Sequence, residues 1–515
     1  MKLNHILFLI LFSLVSQTAF ALPGSYGSTN QDSVSKFLNW YNLDPKADGI
    51  MGVSTQKAYE KILKDKPSKT VLVAIIDSGI DILHEDLREK IWINSGEIAG
   101  NEQDDDENGY VDDVHGWNFI GGPDGQHIVD ETLEVTRIYK RLNDKFGRST
   151  ESTILPEQKQ EYATYLMIKE EFENEVDKAK KEKLLLTRFD QNFSFADSMV
   201  TDYLQKDNYD LVILKSIEAE DPALNAAKNY IVTLYENGFT KEIFSEMVQR
   251  NEEKLQVQFN PDFDARSRIV GDDPENLRDW QYGNNDVDGK RSEHGTHVAG
   301  IIGAVRNNGL GIDGVADNVK MMVLRAVPNG DERDKDIANA IIYAVNNGAQ
   351  IINMSFGKGY SPQKHAVDSA VQIAEARGVL LIHSAGNSAE NNDKKVTYPT
   401  KVYSNNKGAA TNWITVGASS MYANEELIAP FSNYGKTTVD IFAPGVDIYS
   451  AMPDNKYAVQ SGTSMAGPVV TGVAAMLMSY YPELTAQEVK RIIIASAYKQ
   501  PKLKVIQPGK VEGKE

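Results

Sequence analysis

Residues 71–76, VLVAII, are six consecutive apolar residues, most of them β-branched, and the run ends on Asp77, Ser78 and Gly79. A strand with one wet face alternates apolar and polar residues. An unbroken run therefore reads as a strand buried on both faces, the mark of a parallel sheet covered by helices. Four further runs share this character: KMMVLRAV from residue 320, QIINMSF from 350, GVLLIHSAGN from 378 and WITVGA from 413. Between several of them lie stretches of helical period, KDIANAIIYAVNNG and AVDSAVQIAEARG, the second closing on a glycine suited to a helix C-terminus. Strand and helix in alternation predict an α/β fold of three layers, α/β/α, with a mainly parallel sheet whose functional groups gather at the strand C-termini.

The rest of the chain divides by composition. Residues 1–21 carry Lys2, the apolar run ILFLILFSLV and a small-residue end at Ala21, the pattern of a cleaved export signal, too short to span a bilayer comfortably. A periplasmic or extracellular protein with no later integral membrane segment is expected. Residues 22–123 read as a leader, helical near STQKAYEKILKD, followed by the first part of the α/β domain. Residues 124–270 turn rich in Glu and Lys and read as a mostly helical insertion. Val135, Ile138, Leu142 and Phe146 keep helical spacing there, and Tyr162, Leu166, Phe172 and Val176 keep it more loosely. The α/β pattern resumes over 271–500, and 501–515 form a tail. There is no cysteine, so no disulfide supports the fold, and bound ions are the expected substitute. A net charge of −19 makes nucleic acid and anionic membranes poor partners.

Chemistry concentrates in a few short stretches. GTSMAGP, residues 462–468, sets Ser464 at the head of an apolar helical run, where a serine serves equally as a helix cap or as a nucleophile. A nucleophilic serine needs a base, and His294 and His297 in HGTHVAG are candidates among eight histidines. Their spacing also suggests a zinc pair, but the glutamate and spacing of HExxH are missing. Asp77 offers an acid at one strand end and Asn387, in HSAGNS, an amide at another. DDDENGYVDD, from residue 104, places Asp104, Asp106, Asn108, the Tyr110 carbonyl and Asp112 at alternate positions around Gly109. That is the oxygen-rich spacing of a structural calcium loop, the alternative being a solvated acidic turn. GLGIDG at 309–314 follows a helical stretch and not a strand, so it does not read as a dinucleotide loop.

DSGI with Asp77, HGTHVAG with His294, SAGN with Asn387 and GTSMAGP with Ser464 resemble, in that order, the four motif blocks of the subtilisin-like serine peptidases. The resemblance covers roughly residues 65–123 and 275–497. It implies an exported endopeptidase that cleaves proteins through a Ser/His/Asp triad and an acyl-enzyme. Ser464 would be the nucleophile, His294 the base and then acid, and Asp77 the orienting carboxylate. Asn387 and the Ser464 N–H would hold the oxyanion, and His297 would be a packing residue. It further implies an extended polypeptide substrate lying between Ser355, Phe356 and Gly357 on one side and Ser384, Ala385 and Gly386 on the other. Lys358 and Thr397 stand where that family usually has glycine. No organic cofactor is implied, and a second calcium site near RNNGLGID is a weaker implication. The rival from another class is a catalytically silent scaffold of the same fold. The insertion lengthens the Asp77–His294 separation to 217 residues, either as a lid or exosite or as a peripheral addition. Too little chain precedes the first strand for a long folding propeptide, so independent folding is expected.

Overall fold

The computed structural model describes residues 38–404 and 408–510, so the expected signal at 1–21 and the end of the tail, 511–515, lie outside the described residues. The described chain forms two compact units, one made of residues up to Val129 and from Asp264 onward, the other of Asp130–Phe263.

The first unit opens with helix α1 (Thr55–Lys61), strand β1 (Val71–Asp77) and strand β2 (Gly116–Asn118). The chain then passes into the second unit, which is helical: α2 (Glu134–Phe146), α3 (Lys159–Leu204), α4 (Leu211–Ser216), α5 (Pro222–Glu236) and α6 (Lys241–Glu253). Helix α2 buries Val135, Ile138, Leu142 and Phe146, one stripe at helical spacing. The 46-residue α3 buries Tyr165, Ile168, Phe172, Leu186, Phe189, Phe193 and Val200, while Leu166 stays exposed. The buried stripe is thus offset from the one expected through Tyr162 and Leu166, because α2 packs on α3 at Tyr165, whose ring meets Phe146 and whose hydroxyl donates to Asn143 Oδ1. Residues 124–129 and 264–270, expected within the helical insertion, belong instead to the first unit. Ile128 N–H donates to Ile120 O and Asn329 N–H to Val129 O, both at 2.8 Å.

The chain returns through α7 (Arg266–Ile269) and α8 (Glu293–Gly303), then alternates: β3 (Val319–Arg325), α9 (Asp334–Asn346), β4 (Ile351–Met354), α10 (Lys364–Ala376), β5 (Leu380–Ser384), β6 (Trp413–Ser419) and β7 (Ile441–Pro444). A hairpin of β8 (Ile448–Met452) and β9 (Lys456–Gln460) leads to α11 (Thr463–Tyr480) and α12 (Ala486–Ser496). Seven parallel strands stand in the order β2-β3-β1-β4-β5-β6-β7. Successive side chains of a strand point to opposite faces. Val71, Val73 and Ile75 of β1 join the core under α8 and α11, with Val298, Ile302, Val469 and Ala474. The intervening Ala74 and Ile76 face the other way, where α9 packs on β1 and β3 and α10 packs on α9. These are the three layers the unbroken apolar runs require.

The re-entry segment is fastened by a buried ionic network. Arg266 forms two-pronged pairs with Asp272 (2.7 and 2.8 Å) and Asp336 (2.7 and 2.8 Å), and Lys335 Nζ reaches Asp272 at 2.6 Å. Tyr282 Oη adds a bond to Asp336 at 2.7 Å. Burial raises the carboxyl pKa of Asp272, but Arg266 and Lys335 outweigh it and hold that pKa below the usual range. Removing one partner from such a network strands buried charge, so Arg266→Ala is expected to cost about 3–5 kcal/mol of stability, read as a lowered midpoint in chemical denaturation.

Candidate active site

Asp77 is the last residue of β1, buried in mid-sheet, and its Oδ1 accepts from Ser78 N–H at 2.8 Å and from His294 Nδ1 at 2.7 Å. The imidazole, in the first turn of α8, is 38% exposed against 3% for the carboxylate. The ring is therefore partly open to solvent while its Nδ1 is held by a buried carboxylate. Burial works against the charged imidazole, but the Asp77 carboxylate outweighs it and raises the His294 pKa. His297, one turn on, is fully buried with Nε2 at 3.1 and 3.2 Å from the carbonyls of Ile448 and Ala458; burial depresses its pKa to about 3. It packs and does not face solvent.

Ser464 is the second residue of α11. Pro468 has no N–H to give the Ser464 carbonyl, its partner four residues back in a regular helix. That carbonyl instead accepts from Ser355 Oγ at 3.2 Å, and the carbonyl of Thr463 accepts from Ser384 Oγ at 2.8 Å. Gly467 makes this approach possible, since a Cβ there would lie 2.9 Å from Ser384 Oγ. The Ser464 hydroxyl donates to Ser355 O at 3.1 Å, and no hydrogen bond joins it to His294 among the described residues.

Asn387 lies three residues past β5, on a turn that needs Gly386 at φ +107°. Its Oδ1 accepts from both Thr463 N–H and Thr463 Oγ–H at 2.9 Å, which fixes the amide so that Nδ2 is the end left to donate. Thr463 Oγ also accepts from Gly386 N–H at 3.1 Å. Sequence reasoning passed over Thr463, because an alcohol beside a serine carries no distinctive signal.

The two expected cleft walls follow from β4 and β5. Ser355, Phe356 and Gly357 continue β4, and Phe356 O accepts from His383 Nε2 at 2.9 Å. Ser384 ends β5 and Ala385 and Gly386 follow it, with Ala385 N–H donating to Val416 O at 2.9 Å. Thr397 stands between them: a Cβ on Gly357 would lie 3.0 Å from Thr397 Cγ2. Lys358 turns its side chain away, to Glu332 O at 2.7 Å and Asp334 at 3.0 Å.

The acidic loop rearranges the expected ligand set. Both oxygens of Asp112 accept backbone N–H groups of Gly100, Asn101 and Glu102, and those of Asp104 accept from Asn108 and Gly109. Asn108 Oδ1 accepts from Tyr110 N–H. Asp106 is brought instead to Glu97 and Asp113, whose carboxylate oxygens lie within 4.8 Å of one another. The amide groups of Asn94 and Asn108 sit between Asp106 and Asp113 at 2.8–3.2 Å. Burial raises the carboxyl pKa of Asp113 and of Glu97, and in each the neighbouring acids add to the rise. Three mutually repelling carboxylates with two amides among them fit a hard divalent cation.

Residues 68–511 match the sequence profile of the Subtilase family. The chain is 42% identical over 205 residues to the thermophilic serine proteinase of Bacillus sp. (strain AK1), covering 39% of this chain and 47% of that one. It is 37% identical over 208 residues to subtilisin DY of Bacillus licheniformis, covering 40% of this chain and 70% of the relative. The first of these matches therefore spans about half of that relative's length. A solved cold adapted subtilisin-like serine proteinase is 32% identical over 43% of this chain and 76% of its own, with a TM-score of 0.35. With a profile match over most of its length and the Asp77–His294 pair set beside Ser464-bearing α11, the chain belongs to the Subtilase family.

Proposed function

We propose that the protein is an exported serine endopeptidase that hydrolyses polypeptides through Ser464, His294 and Asp77. The observation that carries this reading is the 2.7 Å bond between Asp77 Oδ1 and His294 Nδ1. It holds the proton on Nδ1 and leaves Nε2 as a base. When a peptide carbonyl enters, the Ser464 hydroxyl leaves Ser355 O and gives its proton to His294 Nε2 as Oγ bonds the carbonyl carbon. The resulting oxyanion accepts from Asn387 Nδ2 and from Ser464 N–H, a first-turn donor without an intrahelical partner. His294 then protonates the leaving amine, and water repeats the sequence in reverse to release the acyl group. The substrate lies extended between Ser355–Gly357 and Ser384–Gly386, read mainly through its backbone. Export rests on the segment at residues 1–21, and no helix among the described residues is long and apolar enough to cross a membrane.

A structural calcium ion belongs to this reading and would be held by the carboxylates of Glu97, Asp106 and Asp113. It would neutralise the loop and stabilise the folded state without entering the chemistry.

Three outcomes check the proposal. A fluorophosphonate probe labels the wild-type protein and not Ser464→Ala; an unlabelled wild type would mean a silent scaffold. Because Asp77 raises the His294 pKa, kcat/KM falls as the pH drops through a midpoint above the ordinary imidazole value of about 6.5. A limb below that value would contradict the pairing. Chelation lowers the thermal midpoint of Ser464→Ala protein, used to avoid self-digestion, and adding Asp106→Asn with Glu97→Gln to it abolishes that sensitivity.

A further inference from the structure

Asn387 is exposed, so packing does not hold its side chain. Its aim depends on Thr463 and on the path of the turn at 385–390. That turn is clasped from both sides by one buried side chain. Asn433 is 2% exposed; its Oδ1 accepts from Ser388 N–H at 2.9 Å and from Glu390 N–H at 3.0 Å. Its Nδ2 donates to Ala385 O at 3.1 Å and to Thr397 Oγ at 3.4 Å, and its backbone N–H donates to Gly386 O at 2.8 Å. Residues before and after Asn387 are thus tied to a single residue. The fit is close, since a Cβ on Gly386 would come within 2.5 Å of Asn433 Nδ2.

The clasp is itself anchored to the sheet. Ser432, fully buried, accepts from Ala418 N–H of β6 at 3.0 Å and donates to Asn433 O at 2.9 Å. Ala389 N–H donates to Phe431 O at 2.8 Å and Tyr434 N–H to Glu390 O at 3.0 Å, so the segment 431–434 runs as a brace along the turn. An oxyanion donor is effective only when fixed within a few tenths of an ångström before charge develops.

We propose that Asn433 is a positioning residue that sets the aim of the Asn387 amide by clamping the turn on both sides of it. The proposal rests on the reading of Asn387 as the oxyanion donor, and a double-mutant cycle tests the two separately. Asn387→Ala is expected to lower kcat about 10²–10³-fold on a chromogenic peptide. Asn433→Ala is expected to lower kcat about tenfold to hundredfold with KM within about threefold, because displacement of a catalytic donor costs turnover more than ground-state binding. In the Asn387→Ala background the same change costs less than about twofold, since the donor it would misplace is already gone. Thermal unfolding in Ser464→Ala protein establishes that each variant is folded at the assay temperature. If Asn433→Ala is not, Asn433→Ser goes through the same cycle and decides the matter. An unchanged kcat, a loss confined to KM, or an equal loss in both backgrounds would overturn the positioning role. An unaffected kcat in Asn387→Ala would instead overturn the oxyanion reading itself, and the positioning role with it.

Discussion

The first turn of α11 is joined to the sheet by serine hydroxyls, and the geometry of the site follows from that joint. Pro468 denies the Ser464 carbonyl its helical donor, and Ser355 at the end of β4 supplies one. Ser384 at the end of β5 does the same for Thr463. A helix that lies across β1 and β4–β7 is thereby locked in register with two strand ends. Thr463 and Ser464 are placed before any substrate arrives. Thr463 then passes the constraint on, by turning the Asn387 amide so that its donor end is free.

The second arm of the site is fixed by backbone capture. Arg325, at the C-terminal end of β3 and in register with Asp77, donates to the carbonyls of Asp288 and Lys290 at 2.9 and 2.8 Å. Gly289 lies between those carbonyls because a Cβ there would overlap the guanidinium. The segment so held leads directly into α8, which carries His294. Burial lowers the Arg325 pKa to about 10, so the guanidinium stays charged and keeps both carbonyls. Asp77 and His294 meet because each is delivered by an element tied to β3.

Charge is distributed with a purpose in this acidic chain. Two buried cations, Arg266 and Lys335, share the acid Asp272, and Arg266 also pairs with Asp336, which holds the returning chain against α9. The repelling acids are gathered in one loop, where Glu97, Asp106 and Asp113 converge. The first arrangement pairs buried charge internally, whereas the second gathers like charge at one place in a chain that has no cysteine to cross-link.

The apolar runs were legible as buried parallel strands because a strand covered on both faces has no choice but to be apolar at every position, as Val71–Ile76 is. Asp77, His294, Asn387 and Ser464 were legible because each sits in a short motif whose small residues are needed for close approach. The stripe on α3 was not, since 46 helical residues offer several weak stripes and only the neighbours that pack against them select Tyr165 and Ile168 over Leu166. The three-dimensional grouping of the acidic loop was not legible either, because spacing along the chain places Asp104 and Asp112 beside Asp106, whereas the fold turns their oxygens to backbone N–H groups and brings Asp106 to Glu97 and Asp113. The sequence by itself determined the sheet, the order of its elements and the residue types of the site, which are local or periodic properties. Only the tertiary structure decided which way the Asn387 amide points and that Asn433, 46 residues downstream, clasps its turn, because those depend on hydrogen bonds between segments that no local pattern relates.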